Sequence, residues 1–217
     1  MQHPFRSDHF IRQDESDDAL FYREPRLVVH IDDQAIAAVG ELFRDVFPPG
    51  DGGAGPAVLD LMSSWRSHWP RDLPKARLVG LGLNAVEMER NPDLDAHVVH
   101  DLNQDPVLPF GDASFDGVAI TVSIQYLVRP VEVFREVFRV LRPGGAFLVI
   151  FSNRMFFTKA VRIWVMSGDG DRMELVAAYM ELAGSFEGIT RMYLNPDRGE
   201  MEDPVYAVVA RKPVGPG

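Results

Sequence analysis

With 217 residues, 46% of them apolar and 25% charged, the chain can bury one sizeable core and has the composition of a soluble globular protein. A formal charge of −10, from 22 basic and 32 acidic residues, disfavours nonspecific attachment to nucleic acid phosphates. The absence of cysteine excludes disulfides, thiolate metal sites and a cysteine nucleophile. No apolar run reaches membrane-spanning length and residues 1–18 lack the apolar centre of a signal peptide, so a cytoplasmic location is expected.

Residues 1–19 are polar, with Asp14, Glu15, Asp17 and Asp18 clustered, and read as a flexible acidic arm. Residues 20–30 are too aromatic and apolar for a free tail and are expected to lie on the main body. Asp32 or Asp33 can cap a helix whose stripe is Ile36, Val39, Phe43, Val46 and Phe47. Pro48-Pro49-Gly50 stops it, and a Gly-rich linker follows over residues 51–56. Short apolar strands are then expected at 57–61, 77–81, 97–100, 117–122 and 146–151, with a closing strand at 205–209. Helices over 130–141 and about 172–183 cover them. Near-continuous apolar strands alternating with helices indicate an α/β fold with a parallel sheet buried on both faces.

Phe115-Asp116-Gly117-Val118-Ala119-Ile120, the helix ending Arg139-Val140-Leu141, Arg142-Pro143-Gly144-Gly145 and the strand from Ala146 form a βαβ unit. In that wording the unit resembles the rear half of the S-adenosylmethionine-dependent methyltransferase superfamily, in particular its small-molecule "type 11"-like branch. The resemblance covers roughly residues 56–154. It implies a Rossmann-like, seven-stranded, mostly parallel sheet with helices on both faces and an antiparallel insertion at the penultimate position. It also divides the chain into the arm at 1–19, an N-terminal lid segment and helix at 20–55, and a methyltransferase-like domain at 56–212.

The front half departs from the family's pattern. Val58-Leu59-Asp60-Leu61 fits the first strand and its acidic end, but Met62-Ser63-Ser64-Trp65-Arg66 stands where the family has Gly-x-Gly-x-Gly. Glycine permits positive φ and close approach of a ligand, and on that ground Met62 and Trp65 are expected to do neither. Ser63 and Ser64 offer hydroxyls instead. At the second strand, Gly82 takes the slot of the acid that grips the ribose; Gly80 precedes it, and Asn84 and Glu87 are the nearest replacements. Asn84 with Glu87 three residues on is also a capping-box pattern. Asp101-Leu102 falls where the family holds adenine, though Asp101 equally suits a turn cap. Ser123, Gln125 and Tyr126 follow the fourth strand, at the carboxyl edge where open α/β sheets bind ligands.

The resemblance therefore implies S-adenosylmethionine as cofactor, held by Asp60, Ser63, Ser64, Gly80, Gly82, Asn84, Asp101, Leu102 and Ser123. It also implies a small-molecule acceptor, with His30, Tyr22, Gln125 and Tyr126 on the acceptor side. Arg154, in the insert after the fifth strand, suits either an anionic acceptor group or a surface ion pair. No metal-ligand spacing is diagnostic, and a nicotinamide-binding Gly-x-Gly-x-x-Gly is missing after the first strand. No nucleic acid or membrane partner is implied, and the oligomeric state is open. The missing glycines and ribose acid also suit a second expectation: a non-catalytic member of the fold acting as a binding or regulatory module.

Overall fold

The computed structural model describes residues 4–48 and 54–215, so Pro49-Gly50 of the helix stop, residues 51–53 of the Gly-rich linker and the extreme termini lie outside the described residues. Strands β1 (Ala57–Leu61), β2 (Arg77–Gly82), β3 (Ala96–Val99), β4 (Phe115–Thr121), β5 (Leu141–Phe151), β6 (Glu187–Tyr193) and β7 (Tyr206–Arg211) form one sheet in the order β3-β2-β1-β4-β5-β7-β6. The first five strands pair in parallel, and β7 runs antiparallel between β5 and β6. This is the seven-stranded Rossmann-like sheet of the methyltransferase fold, with its antiparallel insertion one place from the edge.

Two layers of core follow from the period-2 alternation of strand side chains. On β5, Phe147, Val149 and Phe151 face one layer, whereas Ala146, Leu148 and Ile150 face the other. The first layer is covered by α4 (Pro130–Val140) and α6 (Asp169–Ala183), with the short α5 (Arg162–Met166) beside them. Pro130 opens α4 at a position where its missing N–H costs nothing. The second layer is covered by α2 (Asp33–Val46), whose buried face is Ala35, Val39, Leu42 and Phe43. Asp32 Oδ1 caps α2 by accepting from the Ala35 N–H at 2.8 Å.

Three departures from expectation have physical causes. The seventh strand of the expected sheet is β6, which the sequence does not locate: Glu-Gly-Ile-Thr-Arg-Met-Tyr is a mostly exposed edge strand with no buried face to write a pattern. The Pro143-Gly144-Gly145 stop lies inside β5 as an irregularity, with Gly144 at φ 79° and the pairing register jumping between Phe115 and Gly117 of β4. The described part of the acidic arm is tied to the body rather than free. Asp18, at the start of α1 (Asp18–Phe21), bonds Arg12 at 2.8 Å and Lys159 at 3.2 Å, and Lys159 is fully buried. Farther out, Phe5 sets its ring edge against Tyr179 at 5.0 Å.

Among the described residues no helix is long and apolar enough to cross a membrane.

Candidate active site

Strand order reverses between β1 and β4, and open α/β sheets bind ligands at such a switch point. A cavity of about 630 Å³ lies there, at the carboxyl ends of β1 to β4, roofed by residues 22–32. That volume falls within the range of small-molecule sites.

The floor is the rebuilt loop after β1. Asp60 is buried, and its Oδ2 accepts from both Ser63 Oγ and Ser67 Oγ at 2.6 Å. Burial pushes the Asp60 carboxyl up to about 6; the two hydroxyls oppose the shift without cancelling it. Asn91 Nδ2 donates to Ser67 Oγ and to the Ser64 carbonyl, at 2.9 Å each, so polar side chains close the turn. Met62 adopts φ 60°. Contrary to the sequence expectation, the first residue of the loop keeps the left-handed conformation that glycine would supply, at a steric cost of about 1–2 kcal/mol. Val122, a β-branched residue just past β4, also takes positive φ, at 54°, and borders the same cavity.

Ser63 and Gly82 explain one another. The Ser63 N–H donates to the Leu81 carbonyl at 2.8 Å, and the Ser63 carbonyl lies where a β-carbon on Gly82 would stand. Gly82 is needed for the close approach of the loop. Glu87, in α3 (Ala85–Glu89), is also committed: Oε2 accepts from Ser64 Oγ at 2.6 Å and Oε1 from the Arg26 N–H at 2.7 Å. Asn84 caps α3 through its Oδ1 to the Glu87 N–H at 3.1 Å, while its Nδ2 donates to the carbonyls of Tyr22 and Arg23. Trp65 Nε1 donates to the Val28 carbonyl at 2.8 Å. Residues at the altered positions thus grip the main chain of the roof.

Most of the expected site residues border the cavity: Asp60, Ser63, Ser64, Gly82, Asn84, Asp101, Leu102 and Ser123 on one side, His30, Tyr22 and Tyr126 on the other. Two do not. Gly80 lies two residues short of the strand end, where a β-carbon would meet Leu94 Cδ1 at 2.5 Å, so it is a packing glycine. Gln125 is buried, and its Nε2 donates to the carbonyls of Val122 and Arg154, holding the turn after β4 from behind. Asp101 Oδ1 accepts from the Asn103 N–H at 2.8 Å, which is the turn cap. Arg154 pairs with Asp203 at 2.7 Å, the ion-pair alternative.

Four side-chain atoms bordering the cavity are buried without a hydrogen-bond partner: Tyr22 Oη, Arg26 Nη1, Thr121 Oγ1 and Ser123 Oγ. Unsatisfied polar atoms are rare in native interiors because each costs about 1–3 kcal/mol, and four of the seven found among the described residues belong to residues lining this one cavity, which makes it the candidate ligand site. Arg26 stands among the polar residues of the lid segment, but no motif there assigns it a role, and Thr121 escapes a sequence reading because it reads as the end of a core strand. Burial holds the Tyr22 and Tyr126 hydroxyls above the usual tyrosine range. The His30 ring meets Phe156 edge-on at 5.4 Å, and partial burial lowers its pKa. His68, bordering the same cavity, is pushed down to about 4, chiefly by burial.

Comparison with known proteins agrees with this architecture. The family Methyltransf_11, described as a methyltransferase domain, matches residues 68–149, a stretch that begins after the rebuilt loop. A ubiquinone/menaquinone biosynthesis C-methyltransferase of Nitrobacter hamburgensis is 35% identical over 88 residues, covering 35% of this chain and 35% of that protein. A demethylmenaquinone methyltransferase of Renibacterium salmoninarum is 36% identical over 77 residues, covering 35% of this chain and 31% of that protein. The matched stretch thus spans about a third of each relative's length. Among solved structures, the [4+2]-cyclase SpnF superposes with TM-score 0.60 at 20% identity over 89% of this chain and 90% of that one. An S-adenosylmethionine-dependent methyltransferase from Mesorhizobium loti superposes with TM-score 0.55 at 17% identity over 81% and 98%. Sheet order and superpositions show the Rossmann-like fold of S-adenosylmethionine-dependent methyltransferases, and residues 68–149 match a methyltransferase domain.

Proposed function

We propose that the protein transfers a methyl group from S-adenosylmethionine to a small-molecule acceptor. The observation that carries this reading is the roofed cavity at the switch point, with Thr121 Oγ1 and Ser123 Oγ buried and unsatisfied in its wall. Its volume suits an adenosyl-sulfonium molecule beside a small acceptor. Asp60, Thr121 and Ser123 would hold the amino-acid end, and Asp101 and Leu102 the base. The hydroxyl protons of Ser63 and Ser64 are already directed to Asp60 and Glu87, so those two side chains shape the loop.

When bound, the cofactor supplies an electrophilic methyl carbon. Such a displacement gains most from alignment and exclusion of water, which the roof over residues 22–32 would provide. His30, neutral at pH 7 because burial lowers its pKa, is suited to take the acceptor's proton. Tyr22 and Tyr126, protonated throughout the physiological range, are suited to orient the acceptor.

A second reading has its own support: the Ser63 carbonyl fills the ribose-acid slot and both Glu87 oxygens are engaged, which suits a member of the fold that binds partners without cofactor. Thermal unfolding in the presence of S-adenosylmethionine decides between them. Binding at a hundred times the dissociation constant adds about 2.7 kcal/mol; no shift at millimolar ligand would leave the second reading standing.

A further inference from the structure

The acceptor side of the cavity contains a cation, Arg26, that has no ion-pair partner among the described residues. Arg26 Nη2 donates to the Phe21 carbonyl at 2.9 Å, but Nη1 is buried, without a hydrogen-bond partner, at the cavity wall. Among the described residues, Arg26 forms no ion pair: the nearby acids are otherwise engaged, Asp18 with Arg12 and Lys159, and Glu87 with Ser64 Oγ and the Arg26 main chain.

Aromatic rings hold the guanidinium in place. Its carbon lies 4.6 Å from the Phe21 ring centre, 5.3 Å from that of Phe156 and 5.5 Å from that of Tyr22. The wall continues as rings: Tyr126 stacks on Phe156 at 6.0 Å and 28°, Tyr22 meets Tyr126 at 6.4 Å, and His30 meets Phe156 edge-on. The surrounding rings constrain the guanidinium, and its unpartnered Nη1 leaves N–H donors free to pair with a planar oxyanion. The unpaired Tyr22 hydroxyl adds a donor on the same wall.

We infer that the acceptor is a flat aromatic or conjugated molecule bearing a carboxylate, with Arg26 receiving the carboxylate and the Tyr22–Tyr126–Phe156 wall receiving the ring. This rests on the methyl-transfer reading only in treating the ligand as an acceptor. The carboxylate of the cofactor's amino-acid end is the competing source of the same chemistry.

Calorimetric titration of the full chain, with and without S-adenosylhomocysteine, uses benzoate, benzamide and hexanoate as probes. Benzoate is expected to bind at least about tenfold more tightly than either of the others, since a buried charge-assisted hydrogen bond is lost in benzamide and ring contact in hexanoate. Arg26→Gln should abolish the preference for benzoate over benzamide, and Arg26→Lys, which keeps the charge, should retain part of it. Thermal melts establish that each variant is folded, and the wild-type comparison stands by itself if one is not. Equal binding of benzoate and benzamide, or of benzoate and hexanoate, overturns the inference. So does an Arg26→Gln variant that weakens S-adenosylmethionine while leaving its decarboxylated analogue unaffected, because the guanidinium then serves the cofactor. Cofactor binding without benzoate binding defeats this inference alone, and benzoate binding without cofactor binding defeats the methyl-transfer reading alone.

Discussion

The main-chain carbonyl of Ser63 occupies the space that a side chain on Gly82 would need. The loss of the ribose acid and the rewriting of the glycine loop are therefore one structural change. A loop free of glycine closes by folding its own backbone onto the end of β2, and only glycine there tolerates it.

Restoring the family's acid should consequently harm the protein. Gly82→Asp and Gly82→Ala are both expected to displace the loop and destabilise the fold by about 1–3 kcal/mol or more. Gly80→Ala meets the flexible end of Leu94, at 2.5 Å, and Ser63 Oγ, at 3.1 Å, both side-chain atoms rather than backbone, and should cost less. Urea midpoints of the three variants test the order. A Gly82→Asp variant as stable as wild type, with tighter S-adenosylmethionine binding, would show that the loop yields to a carboxylate.

Asp60 makes stability depend on pH in a sense opposite to most carboxylates. Its folded pKa of about 6 lies above the ordinary 3.8, so the folded state binds the extra proton between those values. The contribution is fully present below pH 3.8 and is lost as pH rises through 6. Asp60→Asn keeps an oxygen for Ser63 and Ser67 and removes the ionisation. Relative to wild type, the variant should gain stability from pH 4 to pH 7, by about 3 kcal/mol at most. His68, pushed down to about 4, loses stability as pH falls from 6.5, but both proteins share that loss and it cancels in the difference. A flat difference across this range would mean that Asp60 titrates normally.

The strands in the middle of the sheet were legible because β1, β2, β4 and β5 are buried on both faces and must be almost wholly apolar. The edge strand β6 carries no such constraint. The site was legible by position, since Asp60, Asp101 and Ser123 fall at strand ends, and it failed where side-chain direction decides. Gly80 is one pleat too early to reach the edge, and in the tight turn Ile124–Tyr126, Gln125 faces the interior while its neighbours Ser123 and Tyr126 border the cavity. The arm was misread because its charges suggested solvation, whereas the partners that bury Asp18 stand at Arg12, Asn103 and Lys159, far apart in the chain.

Lys159 anchors that arm. Its ammonium donates to the Ser16 carbonyl at 2.7 Å and pairs with Asp18, with no solvent contact of its own. Burial alone would raise the Asp18 carboxyl, but bonds from Arg12, Asn103 and Lys159 hold it below the usual range. Lys159→Ala leaves a buried carboxylate short of one partner and should cost about 3–5 kcal/mol. Amides over residues 14–21 should then exchange faster with solvent. Loss of stability without faster exchange there would place the effect in the insert after β5.

The roof is held in part by its main chain, and that part of its attachment is testable from the floor. Trp65→Phe removes the bond to the Val28 carbonyl, which solvent can satisfy, and leaves a smaller ring under the Arg66 guanidinium, so the global cost should be near the net value of one hydrogen bond, about 1 kcal/mol. Asn84→Ala removes the α3 cap and both bonds to Tyr22 and Arg23, at about 1 kcal/mol for the cap and more for the roof. In the double variant the body should stay folded while amides over residues 22–31 exchange several-fold faster, because local opening no longer breaks these bonds. Ligand affinity should fall through faster dissociation, since the roof would reopen more readily over an otherwise intact cavity. Unchanged exchange over 22–31 would mean that Phe21, Tyr22 and Phe156 hold the roof through ring packing, and that the polar side chains of the rebuilt loop serve only its own turn.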